Sequence, residues 1–441
     1  MRPTILYDGL NLSLKKGTGV ATYTRGLIST AQALGYRTGV VHDVQGSIPK
    51  DPMLREVILF DDNVERKVGP LFSARRWLRR QMAAPFGTKP TAVPLNGTVI
   101  LKSLQNQFTD PELLYASNDL FNLARHHFKR YGGRLSVSFD TPPDVMHCTY
   151  PLPLAARNSL NIYTVHDLVP LRLPYLTEDD KRYHYKMLRT LVRRADHIVT
   201  VSETSRADII KVLGADEARV TNTYQAVEVP KALRDKSEDV VIDEIAGIFG
   251  LDWKKYFLFF GAFEPKKNIA RLVDAYLSAK VNLPLIIVGA PGWKGGETQQ
   301  LIDDERFRFY LHANDRIIPR RHIRRFDFVP YPLLVSLIRG ARSVLFPSLY
   351  EGFGLPVLEA MQLGTPVLSS TEGSIPEIAG KAALLVDPYS TEALRSAVLS
   401  LACDDDLCLH LSKAGPTQAA RFSFGRYNNA IGTLYKTLLH G

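Results

Sequence analysis

Short apolar runs alternate with segments of helical period along nearly the whole chain. Such runs, bounded by Gly, Pro and Asp, read as buried strands, and their alternation with helices predicts parallel sheets covered on both faces. In the first half the candidate strands are Thr4–Asp8, Thr38–His42, Val57–Phe60, Val145–His147, Ile162–His166 and Ile198–Val201. In the second half they are Tyr256–Phe260, Leu285–Val288, Arg325–Val329, Ser343–Phe346, Pro366–Leu368 and Ala383–Val386. Two such series predict an α/β protein of two Rossmann-like domains, at 1–230 and 251–420. The charged stretch 231–250 would join them, and Arg421-Phe422-Ser423-Phe424 opens a last helix in 421–441. A chain of 441 residues is long enough for both cores.

The pattern is less regular from about 51 to 133. Here Arg66, Lys67, Arg75, Arg76, Arg79, Arg80 and Lys89 occur with no acidic residue between Arg66 and Lys89. Ser73 could cap a helix ended by Pro85, with Ala74, Trp77, Leu78 and Met82 on one face and arginines around it. That helix fits an anionic bilayer surface, and fits equally an ordinary surface helix with solvated arginines.

Composition narrows the function classes. The formal charge of +10 suits an acidic partner: a nucleotide-sugar, an anionic lipid or a nucleic acid. Nucleic acid falls away, because no helix-turn-helix, zinc-finger or aromatic RNA-binding signature is present. The three cysteines, Cys148, Cys403 and Cys408, are too few and too scattered for a disulfide framework or a zinc site. The chain reads from Met1 straight into a strand, and no apolar run reaches the ~20 residues of a membrane span. The expected location is the cytoplasm, at the inner face of the cell membrane if the basic segment meets lipid.

The richest segment runs from Phe346 to Met361. A strand end is followed by Glu351-Gly352-Phe353-Gly354-Leu355, then by Pro356 at a helix start and by Glu359, placed in the first helical turn. Unobstructed glycine amides and the positive end of a helix favour an anion. Two carboxylates bordering that cradle suit the hydroxyls of a nucleotide-sugar. The same features occur in many strand–turn–helix units, and a first-turn Glu also stabilises its own helix.

As a whole, this segment resembles the Glu-x7-Glu signature of retaining glycosyltransferases of the GT-B fold, family 4. The resemblance implies two Rossmann-like domains with parallel sheets facing across a cleft, the donor on the C-terminal one. It also implies a donor-sugar contact for Glu351, a ribose contact for Glu359, and a terminal helix packed back toward the N-terminal domain.

Four other segments fit that resemblance. Gly261-Ala262-Phe263-Glu264-Pro265-Lys266-Lys267-Asn268 matches the family's phosphate-binding segment and implies that Lys267 reaches the donor diphosphate. Many relatives carry Arg where this chain has Ala262, so Lys266, a basic residue elsewhere or backbone amides would compensate. His166-Asp167 follows a strand end and implies a transferred-sugar contact for His166, with Asp167 orienting the loop. Gly17 and Gly19 resemble the N-terminal glycine loop that approaches the donor phosphates and the acceptor, before a helix at Val20–Thr30. Val199–Ser205 resembles the family's strand-end Val-Ser-Glu segment, with Ser202 as a helix cap.

Two further segments complete the reading. Val329, in Phe328-Val329-Pro330, falls where relatives contact the base. Asp404-Asp405-Asp406 reads as a solvated loop and not a metal motif.

The resemblance therefore predicts metal-independent, retaining hexosyl transfer from a nucleoside-diphosphate sugar, GDP-mannose favoured, to a glycan or polyprenyl-diphosphate-linked acceptor in bacterial polysaccharide or lipopolysaccharide assembly. No cofactor is expected. The catalytic candidates are His166, Glu351 and Lys267; the donor-binding candidates are Gly17, Gly19, Lys266, Lys267, Val329, Glu351, Gly352, Phe353, Gly354, Leu355 and Glu359. A sugar-nucleotide epimerase or hydrolase of the same fold, and a non-catalytic carbohydrate-binding scaffold, remain as alternatives.

Overall fold

Ile5 and Tyr7 face one core and Leu6 the other, because successive residues of a strand point to opposite faces of its sheet. Both faces are covered, as the apolar runs require of a parallel sheet. The computed structural model describes residues 2–12, 19–44, 48–60, 84–97, 99, 111–290, 308–313 and 316–440.

The N-terminal sheet has eight strands, in the spatial order Val220–Asn222, His197–Thr200, Leu160–Thr164, Val145–Cys148, Thr4–Asp8, Arg37–Val44, Leu113–Asn118 and Thr91–Val93. All neighbours are parallel except the last pair. The second sheet has six parallel strands, in the order Ile323–Phe326, Leu285–Val288, Phe257–Phe260, Ser343–Phe346, Val367–Ser370 and Leu384–Val386. By chain position that order is 3-2-1-4-5-6, the doubly wound arrangement in which direction reverses between its first and fourth strands. The rings of Phe259 and Phe346 stack across this junction at 5.9 Å.

Two expectations about regularity are corrected. Val57–Phe60 is not a strand: Pro52–Leu59 is a helix, capped by Asp51 accepting from the Met53 amide, with Pro52 at its start. That start signal outweighs a four-residue apolar run. The stretch 51–133 also contains regular elements, namely the strand Leu113–Asn118 and the helix Leu120–Tyr131. The segment Arg75–Arg80, its proposed cap Ser73, and Gly17 lie outside the described residues.

The stretch after Val220–Asn222 forms two helices, Lys231–Arg234 and Glu238–Phe249. The second buries Val241, Ile245 and Phe249. The last helix, Phe424–His440, lies against the helix Gly19–Ala33. It is anchored by a buried polar chain. Tyr435 Oη lies 2.7 Å from His147 Nδ1 and 3.2 Å from Tyr7 Oη, and His147 Nε2 lies 2.9 Å from Thr164 Oγ1. Burial drives the His147 pKa down to about 3, so the ring is neutral and the chain carries no buried charge there.

Among the described residues no helix is long and apolar enough to cross a membrane.

Candidate active site

Two loops leave the second sheet at its reversal point, where open α/β sheets form ligand sites. The first follows Phe257–Phe260. It carries Lys266 and Lys267 in a single 3-10 turn, Pro265–Lys267. Asn268 ends that turn in the left-handed region at φ 60°, a conformation Asn tolerates better than most residues. The Asn268 side chain donates to the carbonyls of Pro388 (2.7 Å) and Pro347 (3.2 Å), fixing the lysine turn to the second loop.

The second loop follows Ser343–Phe346 and enters the helix Leu355–Gln362. Ser374 holds it: its amide donates to the Glu351 carbonyl at 3.1 Å, and its hydroxyl lies 3.0 Å from the carbonyl oxygens of both Glu351 and Phe353. Gly354 caps the helix at φ 102°. The Val357 and Leu358 amides bond to the Gly354 carbonyl, while no described residue accepts from the Gly354 or Leu355 amides. Pro356 has no amide proton, so the opening of this helix presents free donors and a positive dipole end.

The loops meet in an ion pair. Lys267 Nζ lies 2.6 Å from Glu351 Oε1, with side chains 13% and 8% exposed. Lys267 also sits 4.8 Å above the Phe346 ring. Burial pushes the Glu351 carboxyl up, but Lys267 and Lys266 together outweigh it and hold the group below the ordinary range. Lys266 lies 3.6 Å from Glu264. Burial lowers its pKa, and Glu351, Asp167 and Glu264 more than reverse that, so it stays charged.

Glu359 is in the second turn of its helix, four residues past the first helical residue, and not in the first turn as the sequence placed it. The helix starts at Leu355, after the Gly354 cap, so Pro356 is its second residue. The Glu359 carboxylate is half-buried, and no hydrogen bond or ion pair reaches it from the described residues. Desolvation without compensation drives its pKa up to about 7. Glu359 and Tyr331 interact electrostatically, and burial followed by that carboxylate pushes the phenol up. Val329 is packed in the core, whereas its neighbour Phe328 is 80% exposed.

From the N-terminal half, His166 follows Leu160–Thr164 and packs edge-on against Tyr23 at 4.8 Å. Its Nε2 lies 2.9 Å from the Thr149 carbonyl, which can only accept, so Nε2 carries a proton. Burial lowers the His166 pKa; the neutral ring then has Nδ1 as an acceptor. Thr149 is itself held by Asp8, whose Oδ2 accepts from its amide (2.5 Å) and hydroxyl (2.9 Å). Asp167 accepts from the Val169 amide at 3.0 Å and so orders the loop.

The halves meet directly. A Cβ built on Gly352 would lie 2.7 Å from the His166 carbonyl oxygen, so only glycine fits there. A Cβ on Gly19 would lie 3.5 Å from Leu355 Cδ1, which brings the starts of Gly19–Ala33 and Leu355–Gln362 close together. The Glu377 carboxylate caps the helix Glu203–Leu213 across the cleft, accepting from the amides of Glu203 (2.9 Å) and Thr204 (3.2 Å). Ser202 caps the same helix from within. Tyr350 donates to Asp208, which Arg172 also approaches at 3.5 Å.

A cavity of about 620 Å³ opens beside His166, with Asp167, Glu264, Lys266, Tyr150 and His184 among its walls. Neither Glu351 nor Glu359 lines it, so the two signature glutamates and His166 do not share this one hollow. Sequence reasoning missed Asp8, Ser374 and Glu377. Ala262 leaves its position without a cation, and Lys266 is the cation nearest the cavity. Asp404 caps the helix Asp405–Ala419 and Asp405 pairs with Arg342 at 2.5 Å. That run is therefore a helix start, not a loop.

Comparison with known proteins agrees with this fold. The glycosyl transferases group 1 profile matches residues 242–418, and the glycosyltransferase family 4 profile matches residues 104–229. The chain is 32% identical over 282 residues to O-antigen chain mannosyltransferase B of Escherichia coli, covering 63% of this chain and 70% of that one. It is 27% identical over 265 residues to the serotype-specific mannosyltransferase WbdA of Escherichia coli, covering 59% of this chain but only 31% of that longer protein. In three dimensions it superposes on Anabaena HepE, solved with UDP-glucose, at a TM-score of 0.64 and 14% identity, over 99% of this chain and 100% of that one.

Proposed function

The chain belongs to glycosyltransferase family 4 and has the GT-B fold, and from that premise we propose a more specific activity. It moves a hexose, mannose favoured, from GDP-mannose to a glycan or polyprenyl-diphosphate-linked acceptor, with retention at the anomeric carbon. The product belongs to O-antigen or a related bacterial surface polysaccharide, and the work is done at the cytoplasmic face of the cell membrane. The mannosyltransferases among its relatives support the sugar. One observation carries the chemistry: a buried Lys267–Glu351 pair beside the free amides of Gly354 and Leu355, at the reversal point of the sheet.

A diphosphate at that helix start draws on the amides, on Lys267 and on Lys266, and the charge developing on the leaving group is stabilised there. These two lysines supply positive charge without a metal or other cofactor. Contact of Lys267 with phosphate loosens its hold on Glu351, whose oxygens then accept from sugar hydroxyls. His166, neutral and tied through Nε2 to Thr149, offers Nδ1 to the sugar. Glu359 takes the ribose hydroxyls, and Phe328 offers an exposed ring to the base. The acceptor hydroxyl attacks from the leaving-group side and gives its proton to a diphosphate oxygen. Double displacement needs a carboxylate nucleophile at the anomeric carbon; Glu351 is already neutralised by Lys267, which favours direct attack.

The test is a thermal-shift screen against GDP-, UDP- and dTDP-sugars, followed by assay of nucleotide release with and without a polyprenyl-linked glycan. Stabilisation by GDP-mannose and acceptor-dependent GDP release are expected. Stabilisation by none of the sugars would end the proposal, and release independent of acceptor would make the protein a hydrolase or epimerase.

A further inference from the structure

A second hollow, of about 670 Å³, lies on the N-terminal half between the helices Leu120–Tyr131 and Lys181–Arg194. Its walls carry Lys129, Arg182, Lys186, Arg189 and Arg193 against a single acid, Asp180. Asp180 is already engaged as a helix cap, accepting from the Tyr183 amide at 3.0 Å. Among the described residues none of the five cations has an ion-pair partner. Lys129 and Arg189 rest instead on the rings of Tyr183 and Tyr185, at 5.3 and 5.9 Å.

The arrangement is periodic. Arg182, Lys186, Arg189 and Arg193 follow one another at steps of four, three and four, which sets them in one stripe along the helix. Met187, Leu188, Leu191 and Val192 are the residues this helix buries. It holds six Lys and Arg and no acid, so its charges repel one another until an anion covers them. The stripe is roughly 16 Å long at about 1.5 Å per residue. A lone diphosphate is far shorter than that; a surface bearing many phosphates is not. Tyr131, 47% exposed at the end of the neighbouring helix, adds an aromatic of the kind that settles at headgroup level.

We propose that this groove docks the protein on an anionic lipid bilayer, with phospholipid headgroup phosphates along the Arg182–Arg193 stripe. The same helix places His184 in the wall of the cavity beside His166 and Lys186 in the groove. Docking therefore holds the cavity near the plane in which a lipid-linked acceptor lies. The inference rests on the reading of the acceptor as lipid-linked, and it rests on residues other than Arg75–Arg80.

The test compares the parent protein with the fourfold variant Arg182→Gln, Lys186→Gln, Arg189→Gln, Arg193→Gln in vesicle co-sedimentation. The vesicles are phosphatidylglycerol, phosphatidylcholine, and phosphatidylcholine doped with polyprenyl diphosphate. Each basic residue at an anionic surface is worth roughly a fivefold gain in partitioning. The parent should bind phosphatidylglycerol vesicles, release them at high salt, and exceed the variant by about 100-fold or more.

Both proteins should keep the same melting temperature and the same stabilisation by GDP-mannose. If the parent ignores phosphatidylglycerol, binds only the doped vesicles, or binds no better than a variant of unchanged melting temperature, the inference fails. Should the variant unfold, the single substitutions Arg189→Gln and Arg193→Gln must each lower binding about fivefold; equal binding overturns it. Loss of the donor response with vesicle binding intact would instead strike the proposed function.

Discussion

Lys267 and Glu351 stand 84 residues apart in sequence and 2.6 Å apart in space, and the lysine helps hold the carboxylate ionised in a site almost closed to water. The pair sits between two loops that leave adjacent strands of one sheet. Removing either partner strips a buried charge of its direct ion pair. Lys267→Ala should lower turnover by roughly 100- to 1000-fold, as loss of a leaving-group contact does. It should also raise the Glu351 pKa, because the first of the two cations that hold it down is gone. Steady-state kinetics with a saturating nucleotide-sugar check the first effect. Turnover within a few-fold of the parent would remove Lys267 from the donor site.

Glu359 gives a pH dependence with a defined sign. Its pKa in the free protein is raised to about 7 by desolvation alone. A raised carboxyl pKa means that the folded chain holds a proton the unfolded chain has lost, so this group costs stability increasingly as pH rises through that range. Hydroxyls donating to the carboxylate favour its ionised form. Nucleotide binding should therefore release a proton and tighten as pH rises from about 6 to about 8. Glu359→Gln should weaken nucleotide binding and flatten its pH dependence, yet raise the melting temperature of the free protein above pH ~7. Calorimetry in buffers of different ionisation enthalpy measures the proton directly. Pairing pH-independent affinity with an unaltered Glu359→Gln variant would contradict the ribose assignment.

Gly352 and Gly19 make a matched pair of tests at the contact between the halves. A methyl at Gly352 would press on the His166 carbonyl at 2.7 Å, whereas one at Gly19 meets Leu355 at an ordinary 3.5 Å. Gly352→Ala should displace the His166 loop from the signature loop, cutting turnover at least tenfold and costing about 1–3 kcal/mol of stability. Gly19→Ala should change stability by less than about 1 kcal/mol, since alanine is the better helix residue. Equal behaviour of the two variants would show that close packing at Gly352 is not needed.

Much of this architecture is legible in the chain. Thr4–Asp8, Leu285–Val288 and Ser343–Phe346 lie where their apolar runs place them, because a strand buried on both faces leaves an uninterrupted hydrophobic signal. Leu113–Asn118 escapes that reading. It alternates buried and half-buried positions and ends in Ser117 and Asn118, so no continuous run marks it. Val57–Phe60 fails for the opposite reason: its apolar residues belong to a short helix announced only by Asp51-Pro52.

At the site, Glu351, Lys267 and His166 carry local signatures at strand ends. Ser374, Glu377 and Asp8 do not. They act on Glu351, on Glu203 and on Thr149, which lie 23, 174 and 141 residues away along the chain, and no local pattern encodes a partner that distant.

The Glu377 contact gives the last test, and it separates stability from motion. Its carboxylate belongs to the C-terminal half but satisfies two amides at the start of Glu203–Leu213 in the N-terminal half. A helix cap is worth about 1 kcal/mol, and here that energy is present only while the halves are together. Ser202 caps the same helix from its own half, so the helix survives when the halves separate. Glu377→Ala should therefore leave the fold of each half intact and shift the balance toward an open cleft by roughly fivefold, the equivalent of about 1 kcal/mol. A more open cleft admits water to the activated donor. The expected signature is a larger radius of gyration in solution scattering of the free protein, together with more donor hydrolysis per transfer. Scattering identical to the parent, with hydrolysis unchanged, would reduce Glu377 to a surface contact with no part in closure.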